Sequence, residues 1–169
     1  GIDNTVATYG APLLYQRQQN EAQQQARFTN VTLGQPLEMV IVVTGKESLT
    51  ADTVARVRAS WQQYPDRYES LFDQIGQLTS IGHDALQEGR LAELGELMNL
   101  CHGYLNALQL STPELEELVH IARRHGAIGA KLTGGGGGGS MIALCPDATD
   151  SVQQAFEAAG YKAISITLG

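Results

Sequence analysis

Two places in this 169-residue chain hold residue types that could do chemistry. One is a run of six glycines, Gly134 to Gly139, followed by Ser140. A glycine loop fixed at both ends can turn successive backbone N–H groups towards one point, and with no side chain in the way such a concavity binds anions. Phosphate is its natural guest. The other is Asp3, in Gly1-Ile2-Asp3-Asn4-Thr5, an acid among small residues where burial and a partner could tune it to accept or orient a hydroxyl proton. Each has a plainer reading: the glycine run has the composition of a flexible linker, and Asp followed by Asn-Thr is a common helix start. A linker would have polar flanks. The flanks here are Ala127 to Thr133 and Ser140 to Leu144, both strand-like.

Other motifs carry less. The glycine run satisfies G-x-G-x-x-G trivially, and the Walker pattern needs Lys where Ser140 stands, so neither a dinucleotide turn nor a P-loop is read here. His83, His102, His120 and His125 lie in helical stretches without metal-ligand spacing and read as surface or dipole-compensating residues. Thr44-Gly45-Lys46 reads as a strand-end turn with Lys46 solvated. No metal site is assigned to the chain alone. Cys101 and Cys145 are read as two reduced, buried thiols.

The elements that must position these residues follow from periodicity. Pro12-Leu13-Leu14-Tyr15 and Ala26 to Leu33 are strand-like, and Gln16 to Gln25 between them contains no Val, Ile, Leu or Phe, so a hairpin with a loose polar tip is expected. Leu37 to Val43 is a central strand apolar on both faces. Four helices follow: one from Ser48 or Thr50 with Val54, Val57 and Trp61 inward, ended at Pro65; one carrying Leu71, Phe72, Ile75, Leu78, Ile81 and Ala85 up to Gly89; one from Leu91 to Leu108; and one opened by Thr112-Pro113-Glu114 and closed by Arg123-Arg124-His125-Gly126. Strands over 127–132 and 141–145 flank the glycines. A last helix from Thr149 or Asp150 buries Val152, Ala155, Phe156 and Ala159, and Ile164, Ile166 and Leu168 alternate as a final strand. With the helical run counted as one enlarged crossover, this is an α+β fold of the ferredoxin-like split βαβ kind.

Composition narrows the partners. With 43% apolar and 17% charged residues the chain folds, its length suits one core, and no apolar run approaches a membrane span. Eleven basic against eighteen acidic side chains give a net charge of −7, which argues against nucleic acid or anionic lipid. No signal-type stretch directs export, so a cytoplasmic location is expected, and a start at Gly1-Ile2-Asp3 without Met reads as a chain cut from a longer one.

Three separated segments together resemble one family. Gly1-Ile2-Asp3-Asn4-Thr5-Val6-Ala7-Thr8-Tyr9-Gly10 is similar to the catalytic-aspartate segment of mevalonate kinases. Lys131-Leu132-Thr133-Gly134-Gly135-Gly136-Gly137-Gly138-Gly139 resembles the third motif of the galactokinase, homoserine kinase, mevalonate kinase and phosphomevalonate kinase superfamily. Val43-Thr44-Gly45-Lys46 with Thr50, and the helix from Met98-Asn99 to Ser111, resemble the segments between them. The resemblance implies ATP-dependent transfer of a γ-phosphoryl group to the primary alcohol of mevalonate, with magnesium. It implies that Asp3 is the base or hydroxyl-orienting carboxylate and Thr44 a hydroxyl near it. Thr133, Gly134, Gly135, Gly136, Gly137, Gly138, Gly139 and Ser140 would be the loop against nucleotide and substrate. Gly135 stands where the motif usually has Ala. The family's glycine- and serine-rich phosphate loop and magnesium carboxylate belong to an N-terminal half absent here. Residues 1–35 are therefore expected to be a remnant of that half, and residues 36–169 the C-terminal kinase domain, inactive alone; the assembly stays open to a homodimer. Two other readings remain at this point: a sister kinase for phosphomevalonate or a sugar, and a non-catalytic ferredoxin-like binding module.

Overall fold

A computed structural model describes residues 12–17, 26–46 and 50–169. The segment with Asp3, the alternative cap Ser48 and most of the polar stretch to Gln25 lie outside the described residues. Leu13–Arg17 (β1) and Ala26–Asn30 (β2) pair antiparallel as a sheet of their own, with Tyr15 and Phe28 in ring contact at 5.4 Å. Leu37–Val43 (β3) opens the main unit. Helices Thr50–Gln63 (α1), Pro65–Glu88 (α2), Leu91–Ala107 (α3) and Pro113–Arg124 (α4) follow, then strands Gly129–Thr133 (β4) and Ser140–Leu144 (β5), helix Thr149–Ala158 (α5) and strand Lys162–Leu168 (β6).

The four strands are ordered β4-β5-β3-β6, every neighbour antiparallel. That is the sheet of a ferredoxin-like sandwich: β3 and β4 run parallel with β5 between them, the split βαβ the element order implied. Alternation along β3 divides its side chains between two clusters. Val40 and Val42 join Ala130, Leu132, Met141 and Ala143 on the face covered by α4 and α5, where Leu115, Leu118, Val152 and Phe156 are fully buried. Burying a side chain of that size contributes about 1.5–3 kcal/mol, which makes this cluster the main anchor of β4 and β5. Leu37 and Leu144 pack on the other face with Met98, Leu86 and Leu94 from α2 and α3.

Two helix ends follow their sequence signals closely. Thr112 caps α4 by accepting from the Leu115 N–H at 3.3 Å, with Pro113 in the first turn, and Gly89 ends α2 at φ 69°. Pro65, expected to break a helix, ends α1 and also opens α2.

Three expectations are corrected. In α1 the inward residue is Thr53, while Val54 is 51% and Trp61 40% exposed. α1 rests on α2 rather than on the sheet, and Trp61 meets Phe72 edge-on at 5.9 Å. The second strand ends at Asn30 rather than at Leu33, which turns away to pack beneath the main sheet. In β6 the alternation is present but Ile164 is 64% exposed, because the apolar cluster on that face stops at β3. Among the described residues no helix is long and apolar enough to cross a membrane.

Candidate functional site

Thr133 and Ser140 face each other as the last rungs of the β4–β5 ladder, and the six glycines bridge them. Gly134, Gly136, Gly137, Gly138 and Gly139 all have positive φ, between 71° and 130°, backbone that only glycine adopts without strain. Two neighbours hold this loop. The Gly137 N–H donates to Leu110 O at 2.8 Å, in the connection between α3 and α4. On the other side, the Thr44 N–H (2.8 Å) and hydroxyl (3.0 Å) both donate to Gly139 O, and the Gly139 N–H donates to Lys46 O at 3.2 Å. Thr44 Oγ1 also accepts the Lys46 N–H at 3.2 Å, closing the turn after β3.

Thr44, Thr133, the glycines and Ser140 are thus brought together, and Thr44 acts here as the clasp of the loop. The picture of successive N–H groups aimed at one point needs revision: Gly137 and Gly139 spend theirs on the protein's own carbonyls. The N–H groups of Gly134, Gly135 and Gly138 have no protein acceptor among the described residues. Glycine at 136 is also a matter of space, since a Cβ there would lie 2.5 Å from Leu110 O. Gly135 has ordinary φ, but a Cβ would meet Thr50 Cγ2 at 2.8 Å, so the first residue of α1 accounts for glycine at the position where the third motif usually has alanine.

A charge pair flanks the loop. Lys46 Nζ bonds Glu114 in the first turn of α4, and that bond, with the backbone and Thr112 hydroxyl bonds, holds the Glu114 carboxyl down from its ordinary 4.5 to about 2. The pair is solvent-facing, so it adds little stability and serves mainly to fix the Lys46 turn. A depressed carboxyl stabilises the fold above its ordinary pKa, and that contribution is lost as pH falls towards the folded value. Lys46→Ala is expected to return the Glu114 titration towards 4.5, followed by carboxyl NMR; an unmoved Glu114 would exclude Lys46 as the main cause.

The histidines are corrected in two cases, His83, whose side chain is only 18% exposed, and His102. His120 and His125 are exposed, but His102 is 3% exposed and bonded, Nε2 to Glu116 at 3.0 Å and Nδ1 to the Leu132 N–H at 3.3 Å. Asn99 and His102, three apart and so on one face of the helix, were the available signal. Cys145 is buried as expected, its thiol pushed up to about 11 by burial; Cys101 is only half-buried. It lines a mainly apolar cavity of about 250 Å³ with His83 and Lys131, between the β1–β2 hairpin and α2–α3.

The family described as GHMP kinases C terminal matches residues 83–162, the span from α2 through the glycine loop to the start of β6. Residues 83–162 thus carry the C-terminal domain of the GHMP kinases. The mevalonate kinase of Pyrococcus abyssi is 39% identical over 165 residues, an alignment covering 95% of this chain and 47% of that protein. The structure of L. major mevalonate kinase in complex with R-mevalonate superposes with a TM-score of 0.90 at 36% identity, covering 98% of this chain and 51% of that one. The Streptococcus pneumoniae phosphomevalonate kinase complex, at TM-score 0.81 and 17% identity over 97% of this chain and 55% of that one, shows the fold alone. The chain spans about half the length of the curated relatives it matches.

Proposed function

We propose that this chain is the C-terminal part of an ATP-dependent mevalonate kinase, transferring the γ-phosphoryl group of ATP to the primary alcohol of mevalonate. The observation that carries the reading is the 39% identity to a mevalonate kinase over 165 residues, nearly the whole chain. The loop geometry supports it. Phosphoryl transfer asks chiefly for positioning and for donors fixed where negative charge gathers. In a chain of net charge −7, backbone N–H groups supply such donors locally. The N–H groups of Gly134, Gly135 and Gly138 would hold phosphate oxygens, while Thr44 and Leu110 keep the loop in shape; Thr133 and Ser140 bound it. Asp3 would orient the substrate hydroxyl or take its proton.

Residues 1–35 would belong with the preceding kinase half and residues 36–169 form the C-terminal domain. Among the described residues no group of three or more His, Cys, Asp or Glu could hold a metal ion; magnesium would be bound with the nucleotide phosphates, its carboxylate ligand coming mainly from the preceding kinase half. The test is ADP release by that full-length protein with mevalonate, phosphomevalonate and galactose in turn. Mevalonate-dependent release well above the others is expected; equal turnover of the sugar would overturn the substrate assignment.

A further inference from the structure

The strand that leads into the glycine loop is held on its outer side by side chains instead of another strand. β4 ends the order β4-β5-β3-β6, so the outward N–H and C=O groups along it have no ladder partner, and a free edge of this kind needs cover. α3 provides it. Asn99 donates Nδ2 to Ile128 O at 3.1 Å and accepts the Ala130 N–H with Oδ1 at 3.0 Å. Arg123 from α4 donates to the same Oδ1 at 2.8 Å and to Ala130 O at 3.3 Å. His102 Nδ1 accepts the Leu132 N–H at 3.3 Å. Ala130 and Leu132, outward in alternation, are thus met, as is the carbonyl of Ile128, whose N–H turns inward to Leu144 O at 2.9 Å. The close approach depends on Gly95 and Gly129, where a Cβ on the latter would lie 2.6 Å from Gly95 Cα.

We propose that Asn99 and His102 are positioning residues for the glycine loop: by substituting for a missing strand they set where Thr133 and the following N–H groups sit. His102 further makes that placement depend on its own protonation state. The proposal rests on the kinase reading only for its kinetic consequences. With Nδ1 accepting, the neutral ring carries its proton on Nε2 and donates it to Glu116. Protonation would place a second donor against the Leu132 N–H and break the clasp only two residues before Gly134. Burial lowers the His102 pKa below its ordinary 6.5; Glu116 from α4 opposes this, while Arg123 from α4 and Lys131 from β4 add to it. Above 6.5 the neutral clasp is intact, and its contribution is lost as pH falls through and below that value.

The experiment uses the full-length enzyme and compares wild type with His102→Asn and His102→Leu over about pH 5 to pH 8. Asn places an oxygen near the position of Nδ1 and does not titrate. Steady-state kinetics and amide hydrogen exchange across 132–140 are read together. His102→Asn is expected to keep kcat within a few-fold at neutral pH and to lose the acid-side fall in kcat/KM for ATP. His102→Leu, which orphans the Leu132 N–H, is expected to raise KM for ATP and speed loop exchange by about tenfold. An acid limb retained in His102→Asn would overturn the protonation claim. Wild-type loop protection in a folded His102→Leu would overturn the positioning claim; if that variant does not fold, exchange in His102→Asn relative to the intrinsic rate at each pH decides, a loss of loop protection at acid pH equal to that of wild type counting against. A wild type without mevalonate-dependent turnover would fail the kinase reading while leaving the exchange comparison intact.

Discussion

Asp3→Asn in the full-length protein is expected to lower kcat by about 10²–10⁴-fold, the range for losing a positioned acid–base group, with folding unchanged and KM for ATP within a few-fold. The reasoning is chemical. A primary alcohol is a weak nucleophile, and a carboxylate beside it can accept its proton or hold it in line with the phosphoryl group. Asparagine has nearly the same shape but neither charge nor basicity, so an effect confined to kcat would separate that role from helix capping, which asparagine performs as well as aspartate. Asp3 lies outside the described residues, so this prediction stands on the sequence resemblance and the function proposed from it. A wild-type rate in a folded Asp3→Asn protein would remove the carboxylate from the mechanism.

The second large effect is expected at Gly136. Alanine there must adopt φ 72° and bring Cβ within 2.5 Å of Leu110 O, with Leu110 Cβ at 2.7 Å. A left-handed non-glycine residue costs roughly 1–2 kcal/mol by itself. A clash with backbone that already accepts the Gly137 N–H adds to this, so a loss of about 3 kcal/mol is expected, with weakened ATP binding as the loop shifts. Gly134→Ala is the internal control, because its φ is 75° but nothing lies within 4 Å of its Cβ. It should lose only about 1 kcal/mol. Thermal unfolding of the two full-length variants under one set of conditions makes the comparison, and equal losses would show that Leu110 is not the constraint.

How far the site could be read from the chain depended on the kind of signal each residue carried. The glycine run stood out because positive φ on five nearby residues demands glycine, a requirement written in residue type. Thr112 and Pro113 were legible for a similar reason, since capping is completed within one helical turn. Leu110 gave no sign, because it contributes to the loop with its carbonyl oxygen, a group every residue has. His102 was misread as a surface residue because sequence spacing sought a ligand-set partner for it. Its partners, Glu116 and Leu132, are 14 and 30 positions away.

The exposed Ile164 and Trp61 mark a related limit. Periodicity tells which side chains share a face and says nothing about whether a second layer reaches that face. By itself, then, the sequence determined the elements, their caps, the split βαβ order and the need for a side-chain-free bend after β4. Only the tertiary structure decided that the bend hangs between Thr44 and Leu110, and that α3 closes the open edge of β4 through Asn99 and His102. Local conformation depends on residues within a turn of one another, whereas these bonds depend on which distant backbone groups the packed core brings within about 3 Å.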